Sequence, residues 1–259
     1  MNISPNLFLF AHQDDEFGVF WEIHRLVAAG GKVAVVYLTS GDTSGLPAPV
    51  RDLESLSVLA RLGVPKEDIY FLGRDAGIPD GCLADHMETA YERALNLIEA
   101  IGKPKRLYVL AWEGGHQDHD AVHLVGTSLA KHFGILDQCH QFPLYTGAGL
   151  PSFLFKLFSP LPENGTVQSH RISWRERFSH MAYCLAYPSQ KKTWLGLFPF
   201  FVFHYLFFGT QLFQLVSLQR VCVPPHAGVL LYERRGFYSY AKFSEEADAF
   251  LKRHLFPMA

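Results

Sequence analysis

Two short runs in this chain concentrate the residues that can bind a cation, move a proton or polarise a carbonyl. The first is Ala11-His12-Gln13-Asp14-Asp15-Glu16, and the second is Gly114-Gly115-His116-Gln117-Asp118-His119. An imidazole beside two adjacent carboxylates is costly to bury unless something uses the charges. His12 and Asp15, three apart across a turn, can converge on one metal, which leaves Asp14 free as a base. His119 can supply a third ligand. Two histidines and one carboxylate with an open position are the donor set of a catalytic zinc, and also of a non-haem iron site. His116 and Asp118 would stand beside the metal, where a carboxylate sets the tautomer and basicity of a histidine. Isolated histidines such as His24, His86 and His132 are expected to be structural or exposed.

For the two runs to meet, the elements that carry them must end on one edge. Asn6 to Phe10, Lys32 to Leu38, Asp68 to Leu72 and Arg106 to Ala111 read as strands. Phe17 to Ala29, Arg51 to Leu62, Asp85 to Ile101 and Asp120 to Phe133 read as helices between and after them. This alternation predicts an α/β fold, a Rossmann-like three-layer αβα arrangement with a mostly parallel sheet. In such sheets ligands bind beyond the carboxyl ends of the strands. Both runs follow predicted strands, so both should face one site. Thr39-Ser40-Gly41-Asp42 follows the second strand, in a loop expected over Ser40 to Pro49. Asp42 is there either a substrate contact or an ordinary turn residue. Arg74-Asp75, and His226 after two prolines, are placed to reach the same edge. Further on, Arg171 to Tyr187 is expected to hold a helix, Val229 to Glu233 a final strand and Glu245 to His254 a closing helix.

The chain has 259 residues, which fits one domain over 1–259 with a core of about 1–140 and an extension of about 141–259. With 23 Lys and Arg against 25 Asp and Glu, it lacks the basic excess of a general nucleic-acid binder. At 49% hydrophobic and 19% charged residues, it is expected to fold into a sizeable core. Its four cysteines have no regular spacing, which suits a reducing compartment. No secretory signal is evident, so the cytoplasm is the expected location.

The two runs resemble the hallmarks of the PIG-L/LmbE family of metal-dependent de-N-acetylases. The family's Ala/Pro-His-Pro-Asp-Asp-Glu reads Ala11 to Glu16 here, with Gln13 in place of proline. Its His-Pro-Asp-His reads His116 to His119, with Gln117 in place of proline. A third feature, Arg-x-x-Glu at the head of a helix ending in Leu-Gly, reads Arg51 to Glu54 and Leu62-Gly63. Both glutamines replace spacers rather than chemical groups, so little loss is expected. The resemblance covers roughly residues 5 to 135. It implies that His12, Asp15 and His119 bind Zn2+, with Fe2+ as the alternative, and that Asp14 is the general base. It also implies that His116, held by Asp118, stabilises the oxyanion or protonates the leaving amine. Arg51 would contact substrate, and Glu54 would hold the helix head.

The implied reaction is hydrolysis of an N-acetyl group on an amino sugar, in a glycolipid or polysaccharide precursor. Two other readings use the same residues: an iron oxygenase, and a non-catalytic glycan- or lipid-binding protein. Between Lys192 and Arg220 no Asp, Glu, Lys or Arg occurs, and the run is rich in aromatics. Three expectations follow for it: a membrane span, a buried or lid-forming helical pair, or an apolar surface for a bilayer or lipid-linked substrate. The third would place the protein at the inner face of the membrane, in peripheral contact through about residues 194–218.

Overall fold

The computed structural model describes residues 4–42 and 48–256. In chain order the elements are β1 (Asn6–Phe10), α1 (Phe20–Ala28), β2 (Val33–Tyr37), α2 (Ala48–Arg61), β3 (Ile69–Tyr70) and α3 (Leu72–Ala76). They continue with α4 (Met87–Ile101), β4 (Arg106–Leu110), α5 (Gln117–His132), β5 (Cys139–Phe142), and the hairpin strands β6 (Tyr145–Thr146) and β7 (Lys156–Leu157). The remainder holds β8 (Gln168–Arg171), α6 (Trp174–Tyr183), α7 (Lys191–Phe207), β9 (Thr210–Leu215), α8 (Leu231–Arg234) and α9 (Tyr240–His254).

The seven-stranded sheet has the order β3-β2-β1-β4-β5-β9-β8. The pairs from β3 to β5 are parallel, and β9 and β8 join antiparallel at one side. Helices cover both faces, as expected for a Rossmann-like αβα fold. Every residue of β1 and β2 is buried, which explains why both read as unbroken apolar runs rather than alternating ones. The strand order reverses between β1 and β4, so a crevice opens beyond their carboxyl ends. The two motif runs leave those two ends.

Several boundaries differ from the sequence reading. The first helix divides into a 3-10 turn, Asp15–Gly18, and α1, because Val19 between them leaves the helical backbone region with φ of −141°. The third strand shrinks to Ile69–Tyr70, since Leu72 onward coils into α3. Of the Ser40 to Pro49 loop, Ala48 and Pro49 already belong to α2, and residues 43–47 lie outside the described residues. Val229 to Glu233 is not a strand. Leu231 N–H donates to Gly114 O (2.9 Å), and the Glu233 carboxylate accepts from Leu230 N–H (3.1 Å), which turns the chain into α8.

The aromatic run is not a helical pair. Its first part is α7 and its second is β9, which pairs with β5 and β8. Among the described residues no helix is long and apolar enough to cross a membrane. The inner face of α7 packs Trp194 and Phe201 on Phe17, with centroids 5.1 and 5.9 Å apart. The outer face leaves Leu195, Phe203 and Phe207 more than half exposed.

Candidate active site

The turn after β1 is held by its own carboxylates. Asp15 Oδ2 accepts the backbone N–H groups of Ala11 (3.0 Å) and His12 (2.8 Å), and Glu16 Oε2 accepts that of Asp14 (3.0 Å). A non-glycine residue at φ of 127° persists only where its surroundings over-determine it. Here Glu16 does so from below, and its other oxygen accepts the Tyr187 hydroxyl (2.8 Å). The strained turn sets Asp14 apart from Asp15, although the two are adjacent in sequence.

The second run leaves β4 and enters α5. His116 caps that helix, accepting the Asp118 N–H at Nδ1 (3.2 Å). Gly115 is required before it, because a Cβ there would lie 1.9 Å from Tyr145 O. The loop is further tied by Asp120, which accepts from the N–H groups of Glu113 and Gly114.

At the crevice the two runs meet. Asp15 Oδ1 lies 3.2 Å from His119 Nε2, and Asp15 Oδ2 lies 3.6 Å from His12 Nδ1. The Asp15 carboxylate thus stands between the two imidazoles, one oxygen toward each. One donor atom each from His12, His116 and His119 also falls within 4.8 Å of the others. The free Nδ1 of His119 is buried and unpartnered. The electrostatics agree with a cationic occupant. Burial opposes charge on both groups, yet Asp15 is held well below the usual carboxylate range by His119 and His12. His12 is raised well above the imidazole range by Asp80, Asp15 and Asp118, against the opposing effect of burial.

Asp118 does not hold His116. Its carboxylate accepts from His12 Nε2 (3.0 Å) and from the backbone N–H groups of Gly81 (2.6 Å) and Leu83 (3.0 Å). His12 therefore has Nε2 turned to a carboxylate and Nδ1 turned to Asp15, the arrangement in which a partner carboxylate orients a metal-binding histidine. Burial, and then the charge of His12, push His116 down to about 3, so its ring is neutral. With Nδ1 accepting, its proton resides on Nε2.

Asp14 keeps a separate environment. Burial pushes its carboxyl up to about 8, with the Arg51 guanidinium pulling the other way from 3.5 Å. Arg51 is buried and faces the cleft. It also donates to Gln13 O (3.0 Å), Gly41 O (3.1 Å) and Asp80 Oδ2 (2.8 Å). Its contacts thus hold the motif turn as well as border the space for substrate. Glu54 does not hold its own helix head. It accepts from Ser189 N–H (2.8 Å) and the Ser189 hydroxyl (2.5 Å), tying α2 to the C-terminal extension. The two glutamines that replace proline are also in use. Gln13 donates to Asp52 (2.8 Å), and Gln117 donates to Gly81 O (3.0 Å).

The cleft has a volume of about 360 Å³ and is lined by His12, Asp14, Asp15, Arg51, His116 and His119 together. Asp42 is exposed and does not line it. His226 is buried beside Gly114 and points elsewhere: a Cβ on that glycine would meet its Nε2 at 3.3 Å. Arg74 and Asp75 also stay out, with Arg74 spent on Asp52 (2.5 Å). Asp80 was missed. It contacts His12 Nε2 (3.2 Å) and Arg51, but in the sequence it is only the aspartate of a Pro-Asp-Gly turn. Tyr145, Phe155, Arg235 and Phe237 also line the cleft, and no motif marked them.

Known proteins can be set beside this geometry. The chain is similar in fold to the A40926 pseudoaglycone deacetylase, with TM-score 0.61, 17% identity, and coverage of 84% of this chain and 98% of that one. It is also similar to N,N'-diacetylchitobiose deacetylase from Pyrococcus horikoshii, with TM-score 0.56, 18% identity, and coverage of 86% and 88%. A deacetylase of the teicoplanin biosynthesis pathway gives TM-score 0.57, 16% identity, and coverage of 74% and 87%. Identities this low establish a shared fold. No curated protein matches the chain. The family model described as PIG-L, GlcNAc-PI de-N-acetylase, matches residues 7–130, which include both motif runs and Arg51. That segment, just under half of the chain, carries the likeness to the PIG-L family.

Proposed function

We propose that this protein is a metal-dependent deacetylase that hydrolyses the N-acetyl group of an amino sugar. One observation carries the reading: the two oxygens of Asp15 lie against His12 (3.6 Å) and His119 (3.2 Å), while Asp14, next in the same turn, lines the same cleft and faces Arg51 instead. The family-model match over residues 7–130 and the fold shared with two deacetylases support it. An oxygenase would need the two histidines and the carboxylate, but not a second carboxylate held apart from them.

His12, Asp15 and His119 would hold zinc or iron. Such a cation polarises an amide carbonyl and lowers the pKa of water. Asp14 then takes the proton as water adds to the amide carbon. Arg51 keeps Asp14 oriented, and Asp118 and Asp80 keep His12 oriented. His116 Nε2–H is the fixed donor available to the developing oxyanion. The C–N bond breaks, the amine leaves with the proton, and acetate remains.

The proposal extends to the surroundings of the cleft. Thr193, Gly196 and Leu197 of α7 line it, and the opposite face of the same helix is apolar and exposed. A lipid-linked sugar would suit that wall. The test is acetate release by metal-loaded protein from free, nucleotide-linked and polyprenyl-linked N-acetylglucosamine. Release from any member supports the reaction. Release from the lipid-linked sugar alone supports a role for α7 in lipid contact. Release from none, with metal bound, overturns the amino-sugar reading.

A further inference from the structure

Every charged group of the cleft floor is already engaged. Asp14, Asp15 and Asp80 face histidines or Arg51, and Arg51 is divided among two carboxylates and two carbonyls. Arg235 is different. It lines the cleft, yet among the described residues its guanidinium makes no hydrogen bond or ion pair. It lies instead against two rings, with Cζ 5.9 Å from the centroid of Tyr145 and 5.6 Å from that of Phe155.

Its neighbours show that this is not a loose surface residue. The adjacent Arg234 is consumed by backbone carbonyls, donating to Val229 (2.9 Å), Leu150 (2.6 Å), Gly147 and Ser152. Glu233 caps Leu230 and also accepts from Tyr240 N–H (2.9 Å). Leu231 N–H is bonded to Gly114 O, directly beside the second motif run. The backbone that carries Arg235 is thus anchored to the loop that carries His116. The side chain lies over rings that themselves line the cleft.

Tyr145 relates Arg235 to the reacting groups. Its ring centroid is 5.2 Å from that of His119, and the Arg235 guanidinium lies over the same ring. A substrate with its acetamido group at His12, Asp15 and His119 would extend past Tyr145 toward Arg235. A planar guanidinium lying over two rings, with no hydrogen bond of its own among the described residues, is suited to two-pronged contact with an oxyanion. In an aminohexose the acetamido carbon adjoins the anomeric carbon, so an anionic group on that neighbour would point along the cleft.

We infer that Arg235 binds a phosphate carried at the anomeric position of the N-acetylated amino sugar, so that the substrate class is a sugar phosphate or diphosphate rather than a neutral glycan. This rests on the reading of the cleft as a deacetylase site. Arg235 lies outside the segment matched by the family model, residues 7–130, so the preference belongs to the extension and not to the motifs.

The experiment compares N-acetylglucosamine, N-acetylglucosamine 1-phosphate and UDP-N-acetylglucosamine with wild-type, Arg235→Gln and Arg235→Lys proteins. Acetate release gives KM and kcat, and calorimetry gives binding. The wild type is expected to favour the phosphorylated sugars through KM. Arg235→Gln should raise their KM by about ten- to a hundredfold, the worth of one charge-assisted contact, and Arg235→Lys should restore part of it. Preference for the monophosphate over the UDP-linked sugar, or the reverse, distinguishes a monoester from a diester. Equal KM for neutral and phosphorylated sugars, or a preference that survives Arg235→Gln, overturns the inference. If none of these three releases acetate but the polyprenyl-linked sugar does, the deacetylase reading stands; release from none of the four ends it. Binding of the 1-phosphate then decides separately: loss in Arg235→Gln supports the contact, and no binding or unchanged binding ends it.

Discussion

The carboxyl edge of β1 and β4 and the extension after β5 both line one cleft, yet they are built by opposite rules. At the strand edge nearly every side chain is charged or polar and recognisable by spacing. His12, Asp14 and Asp15 fall within four consecutive positions, and His116 to His119 fill another four. In the extension the cleft is walled by Tyr145, Phe155, Leu197, Arg235 and Phe237, which are scattered through the sequence and share no pattern. The first region carries groups whose chemistry needs fixed geometry. The second carries surfaces whose value depends on what they face. A metal site tolerates little change of donor type, whereas a wall can be made from many residues with equal volume.

The comparison can be broken where its effect is largest. Asp14→Asn should cut turnover by about 10²- to 10⁴-fold, the usual worth of a positioned acid or base, with bound metal unchanged by elemental analysis. Loss of the metal instead would mean that Asp14 is a ligand and that its separation from Asp15 has no chemical purpose. Asp118→Asn is the next step down. It removes the charge that orients His12 Nε2, so metal affinity should fall by about 10- to 100-fold in a chelator competition. An unchanged affinity would show that Asp118 serves only the N–H groups of Gly81 and Leu83.

The smallest effect tests the seam between the two regions. Glu54→Gln weakens the two contacts to Ser189, and should lower stability by about 1–3 kcal/mol. For a chain of this size that is a fall of about 2–4 °C per kcal/mol in melting temperature. Metal content should not change. If metal is lost as well, the extension supports the ligands and is more than a wall.

The sequence pattern exposed the parallel half well, because its strands are buried on both faces and its chemistry sits at their ends. β1, β2 and β4 lie within a residue of their expected bounds. The misreadings fall where a tertiary contact overrode local preference. Val229 to Glu233 has the composition of a strand, but bonds to Gly114 and the Glu233 cap turn it into α8. The apolar stretch after Lys192 has no helical stripe, and whether its members face inward or outward depends on Phe17 and on the strand that β9 joins.

What the amino-acid sequence determined alone was the set of reactive groups, their spacing and the strand ends they occupy. Those follow from local rules: buried runs make strands, turn residues end them, and charges at such ends demand a use. Tertiary structure decided how the groups are paired. It gave Asp118 to His12 instead of His116, brought Asp80 under both His12 and Arg51, left Asp42 and His226 outside the cleft, and set Arg235 beside it over two rings and, among the described residues, without a hydrogen bond. These pairings join residues far apart in the chain. Their energies come from distance and burial, which spacing along one strand does not encode.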